Sequence, residues 1–177
     1  AVIVSDGAGT VILSDPELIQ GIGGRISGII ETSPIPEVIE EVGPDHVLEP
    51  HTARINQMAG VKRAFQLGFK KIGVTITDPD EAMAIRHRYG SKVVIFSVHC
   101  TGVSEEGANA LFDNADLVTA CASRWVREVS REKALMQVGN KVPIYAATPM
   151  GEIILRMRLS DLNKSAESFK EDVDSPR

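Results

Sequence analysis

Four short stretches in the last two-thirds of the chain are almost continuously apolar: KKIGVTIT (70–77), KVVIFSVH (92–99), DLVTACA (116–122) and VPIYAAT (142–148). They are rich in Val and Ile, a composition that suits parallel strands covered on both faces. Between them the apolar spacing lengthens to that of helices, and each helix has a start signal. Asp78 precedes Pro79, with Glu81 three residues after the cap, which makes a capping box. Ser104 stands before Glu105 and Glu106, Ser123 before RWVREV, and Thr148 before Pro149, each a hydroxyl able to accept from a free amide of the first turn. Strand and helix alternating at this spacing predict βαβ units with right-handed crossovers.

The first third has a looser pattern. AVIV and TVIL flank SDGAG, which predicts two strands joined by a glycine-containing turn. Asp15-Pro16 reads as a helix start, and GIGGRISG (21–28) as the end of that helix or as a loop. SPIPEVIEEVG (33–43) predicts a short helix entered through Pro36 and stopped at Gly43. Residues 53–67 predict a further helix with Ile55, Met58, Val61 and Phe65 on one stripe. A last helix starts near Gly151 and runs through LRMRLSDLNK; the polar SAESFKEDVDSPR after it reads as frayed. The expected architecture is a Rossmann-like three-layer α/β sandwich with a mostly parallel sheet of open strand order. It forms one domain over 1–163, followed by a tail over 164–177. The abrupt entry into a core strand at Ala1 reads as the loss of a preceding N-terminal segment.

Composition narrows the function classes. At 177 residues, 43% hydrophobic and 24% charged, the chain can bury a substantial core. Aromatics make up 5%, so packing must rest on aliphatic side chains. A net charge of −5 argues against a nucleic-acid surface, which needs a basic stripe. No apolar run is long enough to span a bilayer. Two cysteines 21 positions apart do not form a secreted disulfide framework. The expected setting is the cytoplasm, with a homo-oligomer left open.

In an open parallel sheet, ligands bind beyond the carboxyl ends of the strands. Those ends carry Thr75, Thr77 and Asp78; His99, Cys100 and Thr101; Cys121 and Ser123; and Thr148. His99, Cys100, Cys121 and Ser123 are therefore candidates for catalysis, with Thr77 and Thr101 as ligand contacts. Cys121 precedes a helix N-terminus, where the dipole favours a thiolate, and His99 could serve as its base. Cys100 and Cys121 are also candidate metal ligands, although two thiols and one imidazole fall short of four-coordination. The alternative is that both are buried structural thiols.

A second group lies in the first third. The backbone amides of SDGAGT, with Asp6, Gly7, Gly9 and Thr10, could cradle an anion or hold a hydroxyl; the competing reading is a tight turn in which glycine supplies positive φ. The strand-like VIL that follows argues against a P-loop or dinucleotide fingerprint, both of which open a helix. GIGGRISG breaks the G-x-G-x-x-G pattern at Ile26 but leaves Arg25 as an anion contact. Glu31, Thr32 and Ser33 would lie near it, or cap the next helix. Trp125 could roof a pocket or anchor its helix. His46, His51 and His87 show no metal-binding spacing, and there is no G-x-S-x-G elbow.

The run AVIVSDGAGTVILSDPELIQGIGGRISGIIETSPIPEVIE, with FSVHCTGVSEEGA, ADLVTACASRWVREV and VPIYAAT, resembles the methanogenesis marker protein 8 family over nearly all of residues 1–155. The resemblance implies an archaeal, anaerobic, cytoplasmic protein with no established reaction, no assigned cofactor and no catalytic residues to carry over. It points to an accessory factor for enzyme or cofactor assembly or activation, with proteins of the methanogenesis machinery as partners. Two alternatives stand beside it. One is a small-molecule enzyme acting on an anionic or phosphorylated ligand at the strand rim; the other is a metal or iron–sulfur protein using Cys100 and Cys121.

Overall fold

Asp116, at the start of the DLVTACA stretch, is only 4% exposed, and a buried carboxylate is stable only when its charge and lone pairs are met. In the structure, a computed structural model describing residues 1–26 and 29–164 (23–26 by backbone only), three donors from separate elements meet it. Arg86 Nη2 lies 2.5 Å from Oδ2, the Ile95 amide donates to Oδ2 at 2.8 Å, and the Thr148 hydroxyl donates to Oδ1 at 2.6 Å. The Asp116 main chain bonds Ile95 and Ala147 as well.

The described residues form seven strands and seven α-helices, in two compact units. The first unit, residues 1–75 and 89–93, contains β1 (Val2–Ser5), β2 (Gly9–Ile12), α1 (Pro16–Ile26), α2 (Pro36–Val42), α3 (Gln57–Gln66) and most of β3 (Ile72–Ile76). β1 and β2 pair antiparallel, Val2 opposite Ile12 and Ser5 opposite Gly9; β1 and β3 pair parallel. Ile3, Val11, Leu13, Ile39 and Val42 form one core cluster, covered by Leu18, Ile19 and Ile22 of α1. Buried Gln57 ties the layers together: its Oε1 accepts the Thr10 hydroxyl at 2.7 Å and its Nε2 donates to the Thr75 carbonyl at 2.8 Å.

The second unit, residues 76–88 and 94–177, contains α4 (Pro79–Tyr89) but for its last residue, then β4 (Val93–Ser97) but for its first, α5 (Glu105–Asn114), β5 (Leu117–Thr119), α6 (Arg124–Lys133), β6 (Met136–Val138), β7 (Ile144–Ala146) and α7 (Pro149–Asp161). Its strand order is β4-β5-β7-β6. β4 and β5 are parallel, Phe96 opposite Leu117, across the α5 crossover. The caps read from sequence form: Ser104, Ser123 and Thr148 accept from the amides of Gly107, Val126 and Gly151, and Asp78 from that of Asp80.

Three expectations change. VPIYAAT is not a parallel strand: β7 runs antiparallel to β5, with Val118 opposite Tyr145. The reason is the unforeseen β6, which pairs with β7 as a hairpin turned at Gly139, φ +85°. The architecture is mixed α/β, parallel at β1/β3 and β4/β5 and antiparallel at β1/β2, β5/β7 and β6/β7. GIGGRISG does not stop α1 at Gly21. The apolar face of Leu18, Ile19 and Ile22 packs on the core and outweighs the roughly 1 kcal/mol that a helical glycine costs; residues 27–28 lie outside the described residues, as does the tail beyond 164. The helix expected over 53–67 begins only at Gln57, because Asn56 is extended and caps it, its Oδ1 accepting from the Ala59 amide, while Ala53 is left-handed, φ +49°.

Deleting one partner of a buried, hydrogen-bonded ion pair strands the other charge. Asp116→Ala should therefore lower the unfolding free energy by about 3–5 kcal/mol in urea titration. The exposed Asp113–Lys133 pair, 60% and 34% exposed, provides the comparison: Asp113→Ala should cost less than about 1 kcal/mol.

Candidate functional site

The carboxyl ends of β4 and β5 form a rim in the second unit. The Val98 amide donates to the Ile76 carbonyl at 2.9 Å, which brings the β4 end beside Thr77 and the α4 cap. The chain then leaves extended geometry at once. His99 is left-handed, φ +55°, and Gly102 follows at φ +80°, so that Ser104 can open α5. On β5 the same happens: Cys121 is left-handed, φ +45°, and the Ser123 amide closes on the Ala120 carbonyl at 2.9 Å before α6 begins. Left-handed backbone at a side-chain-bearing residue is strained, and such strain concentrates at functional turns.

The turns set opposite fates for adjacent side chains. His99 is exposed at the rim, while Cys100 is 2% exposed. The Cys100 thiol lies 3.1 Å from the Ser97 hydroxyl. Burial pushes its pKa up to about 11 from an ordinary 9.0; bonds from Ser97 and the Thr119 main chain oppose the rise, and the neighbouring Cys121 thiol adds to it. Cys100 is thus a protonated, packed thiol at neutral pH. Cys121 is half-buried and remains the reachable sulfur. Ser123 is buried and its hydroxyl caps α6. Thr77 is half-buried and Thr101 exposed beside His99.

Arg127 joins this group and was not among the sequence candidates. From α6 its Nη2 donates to the Lys141 carbonyl at 2.9 Å and approaches the Cys121 carbonyl at 3.5 Å. Its Nε is buried with no partner among the described residues, and so is Oδ1 of Asn140. The only sequence signal was position: one helical turn after the Ser123 cap, on the face that returns to the strand end. Among the described residues no group of three or more His, Cys, Asp or Glu gathers as for a metal ion.

The first-unit candidates divide. Gly9 closes against the main chain: a Cβ there would stand 2.0 Å from the Ala53 carbonyl oxygen. The Thr10 hydroxyl serves Gln57 and the Asn56 amide. The Gly7 amide donates to Thr32 Oγ1 at 2.9 Å, and the Thr32 hydroxyl donates to Asp6 Oδ1 at 2.5 Å. Asp6 itself stands at the mouth of a cavity of about 570 Å³. Arg25 lies in α1, its side chain outside the described residues.

Residues 1–160 match the family described as "Uncharacterized protein conserved in archaea (DUF2099)". The chain belongs to that family. It is 48% identical, over 168 residues, to an uncharacterized protein of Methanocaldococcus jannaschii. The match covers 93% of this chain and 59% of the relative, so the chain spans under two-thirds of that relative's length. The matched family carries no methanogenesis name; the link to that process is the methanogen relative. No solved structure matches the chain. No helix among the described residues is long and apolar enough to cross a membrane.

At pH 8, Ellman's reagent should titrate Cys121 quickly and reach Cys100 only on unfolding; equal rates for both thiols would contradict the assigned burial. The raised Cys100 pKa also fixes a pH dependence. Stability from the neutral buried thiol is complete below about pH 9 and is lost as pH rises toward about 11, because the unfolded chain ionises first. Cys100→Ala should flatten that alkaline slope in denaturant melts taken across the same window.

Proposed function

We propose that the chain is part of a cytoplasmic accessory factor that helps assemble or activate an enzyme or cofactor in methanogenic archaea, and that the rim of His99, Cys121 and Arg127 is its working surface. The observation that carries the reading is the pair of left-handed residues, His99 and Cys121, closing successive parallel strands. Each turns the chain out of the sheet at a residue that carries a side chain, in a backbone conformation such residues rarely adopt. The methanogen relative and the resemblance to methanogenesis marker protein 8 supply the setting, with proteins of that machinery as partners.

A second reading uses the same rim for small-molecule catalysis on an anionic ligand, with Thr77 and Thr101 as hydroxyl contacts. Arg127 favours it: the side chain is half-buried, and its buried Nε, with no partner among the described residues, attracts an acceptor. Metal binding through Cys100 and Cys121 would need further ligands from outside the described residues, since a structural site takes four.

Deletion of the gene in a methanogen should slow methane formation. The unaltered gene should restore it, and His99→Ala/Cys121→Ser, expressed to the same level, should fail to. An unaffected deletion strain would end the accessory-factor reading; full restoration by the double variant would end the rim assignment.

A further inference from the structure

The two cysteines stand at the ends of neighbouring strands. The parallel register sets Phe96 opposite Leu117 and Ser97 opposite Val118, and the same offset carries Cys100 to Cys121. Neighbouring strands run about 4.8 Å apart, inside the roughly 4.4–6.8 Å between Cα atoms that a disulfide spans. Both chains turn out of the sheet here, through left-handed His99 and left-handed Cys121. The turn on β4 brings the Cys100 thiol back rather than away. It lies 3.1 Å from the Ser97 hydroxyl and takes a bond from the Thr119 main chain, two residues before Cys121. The Cys100 sulfur thus reaches from the end of one strand to the end of the next, close enough to the Cys121 thiol to feel its charge.

The pair is unequal in the way thiol–disulfide exchange requires. Cys121 is half-buried and Cys100 is 2% exposed, so a reagent from solvent meets Cys121 first. We propose that Cys100 and Cys121 form a reversible dithiol pair that closes to a disulfide across the ends of β4 and β5, Cys121 attacking and Cys100 resolving. The oxidant is a low-molecular-weight disulfide. Cys121, as thiolate, attacks one of its sulfurs; a mixed disulfide forms, the original S–S bond breaks and one thiolate leaves. Cys100 gives its proton to that thiolate, attacks the Cys121 sulfur and expels the second thiolate, which takes its proton from solvent. The chain loses two electrons and two protons, and the small disulfide gains them as two thiols. Burial keeps Cys100 protonated, which makes the second step the slow one. The rim keeps its reachable thiol only while the pair is reduced, whatever the rim binds.

The test is stopped-flow reaction of the native full chain with Ellman's reagent, itself a small disulfide. A fast release of one thionitrobenzoate should scale with reagent concentration, as the reagent reacts with Cys121. A slower second release should be independent of reagent concentration, because Cys100 attacks the Cys121 mixed disulfide and never the reagent. Cys100→Ser should keep the first release, lose the second and hold the mixed disulfide; Cys121→Ser should release nothing until the chain unfolds. Glutathione disulfide should give a monomer two hydrogens lighter by intact mass, restored by dithiothreitol. The kinetics of the unaltered chain decide the matter even where a variant fails to fold. A single release until denaturant is added overturns the proposal. So does a second release that rises with reagent concentration, which marks direct attack on Cys100, or a disulfide-linked dimer on a non-reducing gel, which marks pairing between copies.

Discussion

The Asp116 carboxylate holds the second unit together. One buried negative charge receives a guanidinium from α4, an amide from β4 and the capping hydroxyl of α7. Its main chain continues the ladder to Ile95 and reaches Ala147. Moving any of these elements would leave a charge or a lone pair unmet in a medium where neither is tolerated. Gly151 shows how close the fit is: a Cβ there would lie 2.1 Å from the Asp116 carbonyl oxygen, so α7 can sit where Thr148 reaches Asp116 only because residue 151 has no side chain.

This anchor lies at the amino end of β5, and the rim lies at the carboxyl end of the same three-residue strand. The position of Cys121 is therefore set by a short span whose other end is fixed. The first unit solves the same problem without charge. Gln57 joins β2, α3 and β3 through one amide. The two units thus carry different chemistry: a cavity lined by aliphatic and acidic side chains in one, and in the other a strained sheet edge beside the half-buried Arg127.

Local signals were the legible ones. Asp78, Ser104, Ser123 and Thr148 announced their helices because a cap is a contact between near neighbours. The strand end at His99-Cys100 was legible because a buried run must stop where polar residues begin. The hairpin of β6 and β7 was missed, although LMQV and VPIYAA around Gly139-Asn140 carry the pattern of two strands and a glycine turn; the β6 run is short and only half-buried. Left-handed φ at His99 and Cys121 has no sequence mark, since neither is glycine. Arg127 and the cavity were out of reach for a different reason. Their neighbours come from segments far apart in the chain, and only the tertiary structure brings Asp6, Asp15 and Glu41 to one entrance. The DLVTACA stretch showed a strand but not that its first residue was the anchor.

The central claim is that strain at the rim is retained for function rather than for packing. Replacing His99 and Cys121 together with glycine tests it, because glycine adopts positive φ without steric cost. Thermal melts of the double variant, paired with its ability to restore methane formation to the deletion strain, give the answer. The account predicts a melting temperature equal to or above that of the original chain, with restoration lost. A lower melting temperature with restoration intact would show that the two residues serve the fold alone.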